Sequence, residues 1–279
     1  MKKNGIQFAG KISKLLLLSS ITASSLMAHG LWLNSFEAES HGSNIVTIGL
    51  GSGHNLTIED SVSDRVELVS FDLTEPDGKN IPLKKPLRGV KEFYNNEGLQ
   101  IVDSNLAMQK ITLEDTSKKG TYSANFVTKQ GIFTEYIDKN DKKQFSIKPK
   151  EKIRNLKEII SSIKSTTYAK TYFVNKKWTE PKPIGHELEI IPINDISKLY
   201  VGDKIELKVL YKGVLLKDGF VTAKNSLSKT DNALFGSIRD GKVDFVLTNY
   251  GQWSFKIDHK KTQEDYIIET KASMTINIK

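Results

Sequence analysis

Five histidines occur in 279 residues, and three of them, His29, His41 and His54, fall within 26 consecutive positions. Imidazole nitrogens suit zinc, copper, iron and nickel, so this concentration makes metal coordination the first chemistry to weigh. His54 closes Gly49-Leu50-Gly51-Ser52-Gly53-His54, where the glycines permit positive φ and close backbone approach. Spacing alone leaves two readings of it, an imidazole presented to an ion or a surface histidine in a tight turn. His41 stands beside Gly42 in a polar turn, the usual setting of a solvated ring. Glu59 and Asp60 follow His54 closely enough to add an oxygen donor or an acceptor behind the ring, although a plain surface role is their default.

The start of the chain gives His29 a special position. Residues 1–28 combine Lys2, Lys3, Lys11 and Lys14 with the apolar run Leu15-Leu16-Leu17-Leu18 and a small-residue end at Ala28. That pattern predicts a secretory signal peptide and export to the periplasm. Its apolar run falls short of the roughly 20 residues that span a bilayer, and no later segment approaches that length. Cleavage after Ala28 would leave His29 as the first residue, whose free α-amine and ring Nδ1 can chelate one ion together. A further imidazole would complete a nitrogen-rich tetragonal site of the kind preferred by Ni(II) or Cu(II). The competing reading is a signal peptide that happens to end before a histidine.

Composition removes other chemistries. The chain has no cysteine, which excludes disulfides, thiol catalysis and thiolate metal sites. Beyond the signal only Met108 and Met274 remain, too few for a thioether copper site. Removing four signal lysines from 41 basic residues leaves 37 against 33 acidic ones, a net charge of about +4 without the basic, aromatic-studded face of a nucleic-acid binder. A nucleophile elbow, a His-Glu-x-x-His pair and a phosphate-cradling glycine loop are all missing, so the sequence reads as a binding protein and not as an enzyme.

The elements that would position these residues follow period two. Residues 44–50, 65–73 and 121–126 read as strands of an N-terminal β-sandwich over 29–150, with Tyr122, Ala124 and Phe126 on one face. Ile153, Leu156, Ile160 and Ile163 recur at helical spacing, predicting one short amphipathic helix at 151–165 within a connecting segment, 151–184. From 185 to 279, six short strands at 186–191, 204–211, 219–223, 243–248, 252–257 and 273–278 predict an immunoglobulin-like β-sandwich. His186 would share a strand face with Leu188 and Ile190 as a half-buried structural residue, and His259 would be exposed. Trp32, Trp178 and Trp253 read as core or edge aromatics.

Several stretches together carry a family resemblance: Ala28-His29-Gly30-Leu31-Trp32-Leu33-Asn34, His41 with the strand to Gly53-His54, and Ser70-Phe71-Asp72-Leu73 leading to Pro76-Asp77-Gly78. Gly185 to Pro192, Leu210-Tyr211-Lys212-Gly213 and Gly251-Gln252-Trp253 continue it. Across nearly all of the exported part, the chain resembles secreted proteins of an uncharacterised domain family that includes periplasmic components of nickel and cobalt ABC-type uptake systems. The resemblance implies a β-sandwich followed by an immunoglobulin-like module, and a divalent transition metal held by His29, His41 and His54. Ser52 stands where related sequences commonly carry Trp, and Leu56-Thr57-Ile58 lacks a proline often found there. The expected cargo is Ni(II) or Co(II), delivered to a membrane ABC-type transporter. The alternatives are a Cu(II)-binding histidine brace and a metal-free adhesion or scaffold module.

Overall fold

The computed structural model describes residues 30–40, 43–54, 56, 62, 66–86, 90–96, 99–104, 107–228 and 233–279. These form β1 (Gly30–Ser40), β2 (Ser43–Gly53), β3 (Leu68–Thr74), β4 (Asn80–Pro82), β5 (Val90–Asn96), β6 (Leu99–Ser104), β7 (Gln109–Leu113), β8 (Gly120–Thr128), β9 (Gly131–Asp138) and β10 (Lys143–Ser146). The second half continues with β11 (Leu156–Asn175), β12 (Leu188–Pro192), β13 (Lys204–Tyr211), β14 (Val214–Leu215), β15 (Phe220–Asn225), β16 (Leu234–Ser237), β17 (Lys242–Val246), β18 (Gly251–Gln263) and β19 (Tyr266–Ile278). The protein is mostly β, as its alternating pattern predicts, and only two three-residue 3₁₀ turns are helical among the described residues. Among the described residues no helix is long and apolar enough to cross a membrane.

One sheet of ten strands organises the molecule, running β16-β15-β18-β19-β11-β8-β3-β4 with β9 beside β11 and β10 beside β9. The predicted helix is the point where the structure corrects the sequence reading, because Leu156–Asn175 is a 20-residue strand at the centre of this sheet. Its composition explains why. Ile159, Ile160, Ile163, Thr166 and Thr167 are β-branched, which favours a pleated strand over a helix. Register shifts against β9 between Leu156 and Glu158 and between Ile159 and Ser161 break the period-two alternation. An extra residue at each irregularity moves the apolar positions apart until they imitate helical spacing.

Each face of the large sheet carries a core. On one face Phe71 and Leu73, Tyr122, Ala124 and Phe126, and Ala169 and Phe173 pack against Leu33, Val46, Ile48, Leu50 and Leu113 from the three-stranded sheet β1-β2-β7. Tyr122 and Phe173 stack there with ring centroids 5.4 Å apart. On the opposite face Trp253, Phe255, Ile257, Met274 and Ile276 meet Leu188, Ile190, Ile205, Leu207, Val209 and Phe245 from the sheet of β12, β13, β14 and β17. The two sandwiches therefore share a sheet. Trp32 and Trp253 are buried in the interior and Trp178 is partly buried, as expected of core and edge aromatics.

How β1 is seated decides where the histidine-bearing end of the hairpin lies. β1 pairs with β2 along one edge only, so its other edge would leave carbonyls unpaired in the interior. Polar side chains of β19 cap them instead: Ser273 Oγ donates to the Leu31 carbonyl, Thr275 Oγ1 to that of Leu33 and Asn277 Nδ2 to that of Ser35. Alternate residues of β19 thus serve two ends, with Met274 and Ile276 in one core and Ser273, Thr275 and Asn277 holding β1 on the other face.

Candidate functional site

The β1–β2 ladder is continuous from Gly30 opposite Gly53 to Ser40 opposite Ser43. His54 follows β2 directly and is exposed. His29 and His41 lie outside the described residues, as do Glu59 and Asp60, but peptide bonds join His29 to Gly30 and His41 to Ser40. Gly30 and Ser40 stand at opposite ends of an 11-residue strand, a separation of about 33 Å at roughly 3.3 Å per residue. The register therefore brings together the chain neighbours of His29 and His54 and sets the neighbour of His41 at the far end of the hairpin.

The open end of the hairpin is built around Trp32. Its cross-strand partner is Gly51, and a Cβ at that position would overlap the indole ring, so only glycine lets the strands close over it. The indole Nε1 donates to Asn34 Oδ1 at 3.0 Å, and that oxygen also accepts from Gln252 Nε2 at 2.5 Å. Above the ring stands Lys256 of β18, its ammonium 4.6 Å from the ring centroid. The same ammonium is 2.9 Å from where a Cβ would project from Gly30. From the neighbouring β15, Lys224 Nζ donates to the His54 carbonyl at 3.3 Å. Loss of hydration, reinforced by the Lys224 charge, pushes the Lys256 pKa down to about 8.

The two lysines at this mouth carried no distinguishing signal in the sequence. In the sequence Lys224 and Lys256 simply alternate with the inward-facing residues of their strands, and nothing in their spacing separates them from solvated surface lysines. Only the fold places Lys224 at the carbonyl of a histidine 170 positions away and Lys256 over the ring of Trp32.

The described donors fit a metal incompletely. No group of three or more His, Asp or Glu side chains in holding geometry occurs among the described residues, and His54 is the one predicted ligand within them. A complete donor set at this end requires His29, whose ring and α-amine would supply two nitrogens next to Gly30.

The other two histidines have different settings. His186, expected to be a satisfied half-buried residue, is buried just before β12 with its ring 5.0 Å from that of Tyr168, and its Nδ1 has no hydrogen-bond partner. Burial first, and the nearby Lys170 ammonium second, lower its pKa to about 3, so the ring stays neutral. His259, expected to be exposed, is half-buried against Tyr211 with centroids 4.2 Å apart.

No curated protein matches the chain. A family described as a domain of unknown function, DUF4198, matches residues 26–261, from just before the predicted cleavage point to the middle of the β18–β19 hairpin. The match spans most of the chain, and the protein belongs to the DUF4198 family.

Proposed function

We propose that the protein is an exported, periplasmic binding protein for a divalent transition metal, with Ni(II) as its cargo, Co(II) as the nearest substitute and an ABC-type membrane transporter as the recipient. The observation that carries this reading is the register of the first hairpin. Gly30 faces Gly53, so the residues that adjoin His29 and His54 in the chain are cross-strand partners. Cleavage after Ala28 would turn a signal-peptide boundary into a chelating amine and imidazole, and His54 would add a second imidazole from the adjacent strand. The total lack of cysteine supports the same donor class, because it confines any site to nitrogen and oxygen ligands. Ser40, the chain neighbour of His41, stands at the far end of the hairpin, which favours His29 and His54 over His41 as the ligand pair.

Coordination by an amine and imidazoles requires their deprotonated forms, so affinity falls as the solution is acidified. Native mass spectrometry of protein recovered from the periplasm tests the proposal in one experiment. The expected spectrum has a mass beginning at His29 and one bound divalent ion. A mature protein that begins elsewhere, or that carries no ion and takes up none from added Ni(II) at neutral pH, rejects it.

A further inference from the structure

Where β11 meets β12, the fold brings an amine and a carboxylate into contact out of reach of water. Lys170, on a strand of the ten-stranded sheet, touches Glu189, on a strand of the four-stranded sheet, and their side chains are 3% and 2% exposed. An ammonium carries three N–H donors, yet the Glu189 carboxylate is the single acceptor that Lys170 reaches among the described residues. Glu189 is better served, because the Gly185 N–H donates to one carboxylate oxygen at 2.8 Å and the Ile184 N–H to the other at 3.2 Å. Two further polar atoms here are buried without a hydrogen-bond partner. Tyr172 Oη belongs to the residue two positions beyond Lys170 on the same face of β11, and His186 Nδ1 to the residue after Gly185. Burial drives the Lys170 pKa down against the pull of the Glu189 charge, and the neutral amine is the nucleophilic form.

A buried ion pair offsets its desolvation only when the remaining donors are satisfied, and this one leaves two ammonium N–H groups without an acceptor among the described residues. Condensation to an amide removes both charges and both of those donors. We infer that Lys170 and Glu189 become joined by an isopeptide bond, a covalent tie between β11 and β12 in a chain with no cysteine for disulfides. The ammonium first passes a proton to the carboxylate that it touches, giving a neutral amine and a carboxylic acid. Lys170 Nζ then attacks Glu189 Cδ and the C–N bond forms, while the Ile184 and Gly185 N–H groups hold the oxygens as the carbon becomes tetrahedral. The C–O bond to the hydroxyl breaks, and that hydroxyl leaves as water with a second proton from the amine. Three ammonium hydrogens and two carboxylate oxygens thus become one amide N–H, one carbonyl oxygen and one water. The Glu189 charge is felt at the Tyr172 hydroxyl and the Lys170 charge at the His186 ring, which puts the two unpartnered groups beside the transferred protons. Reactants held in contact gain an effective concentration of up to about 10⁵–10⁸ M. Exclusion of water protects the product from hydrolysis.

Intact mass spectrometry of the folded protein, held at neutral pH until its mass is constant, tests this. The expected mass is one water below that of the sequence. Trypsin should leave the bond after Lys170 uncut and yield a branched product in which residues 165–176 are joined to residues 178–198 through Lys170 and Glu189. Replacing one partner strands a buried charge, so the control is the double variant Lys170→Met with Glu189→Leu, which removes both charges together. With its fold verified by circular dichroism, that variant should show the full sequence mass and no branched product. Wild-type protein at full sequence mass, with cleavage after Lys170, overturns the inference. So does a water loss that persists in the double variant or that maps to backbone cyclisation at Asp77-Gly78 or Asp240-Gly241.

Discussion

Lys170 and Lys256 project from opposite faces of the same sheet, and their surroundings differ in one decisive respect. Lys170 on β11 is wholly buried and pairs with Glu189 of β12, whose carboxylate also accepts from the backbone N–H groups of Ile184 and Gly185, the latter at 2.8 Å. Burial pushes the Lys170 pKa down while the Glu189 charge pushes it back up. Lys256 is likewise desolvated, but it has an aromatic ring beneath it and no carboxylate within ion-pair distance among the described residues. A charge neutralised inside the fold contributes to structure. The contact that the described residues give Lys256 is an aromatic ring, which leaves its charge without that structural role.

Breaking the closed pair should have the largest effect. Glu189→Gln removes the countercharge of Lys170 and weakens the acceptor of two backbone donors, and it should cost about 3–5 kcal/mol in urea denaturation, the usual range for stranding a buried charge. A loss below about 1 kcal/mol would mean that the pair is not coupled to folding.

The neighbour of that pair gives the next effect. With a folded pKa of about 3 against an ordinary 6.5, His186 stays neutral in the native state while the unfolded chain takes up a proton. Between those values the unfolded state binds more protons, so stability rises with pH through the window and is lost as pH falls from 6.5 towards 3. At pH 4 the penalty is about 3 kcal/mol at 1.36 kcal/mol per unit. His186→Phe, which keeps a ring against Tyr168, should flatten the thermal stability profile between pH 6.5 and 4. An unchanged profile would place the acid sensitivity elsewhere.

At the open mouth, effects on stability should be smaller. Gly51→Ala forces a methyl group into the Trp32 indole and should cost about 1–3 kcal/mol, with a change in near-UV circular dichroism from the displaced ring. Lys256→Met removes only the contact with Trp32 and should change stability by less than about 1 kcal/mol. Equal losses for Lys256→Met and Glu189→Gln would erase the distinction between the two lysines.

Much of the fold was legible in the residues, for reasons that can be named. The strand Lys204–Tyr211 was read with its observed bounds because Ile205, Leu207 and Val209 alternate without interruption into one core. The central strand β11 was misread because two bulges disguise its alternation and because Ile159 and Ile160 at its start are exposed and mark no buried face. For the site, the glycines around His54 signalled close backbone approach, and Trp32 over Gly51 supplies the reason. What no local pattern carries is register. Only the pairing of Gly30 with Gly53 sets Ser40 at the other end of the hairpin from His54, and only the β15–β18 pairing brings Lys224 and Lys256 to one face beside that open end.

The most direct measurement is therefore a comparison of His54→Ala with His41→Ala in Ni(II) binding by the mature protein. The hairpin register predicts that His54→Ala weakens Ni(II) binding by at least about tenfold, while His41→Ala leaves it unchanged. Equal losses in the two variants, or a loss confined to His41→Ala, would contradict a metal site at the open end of the first hairpin.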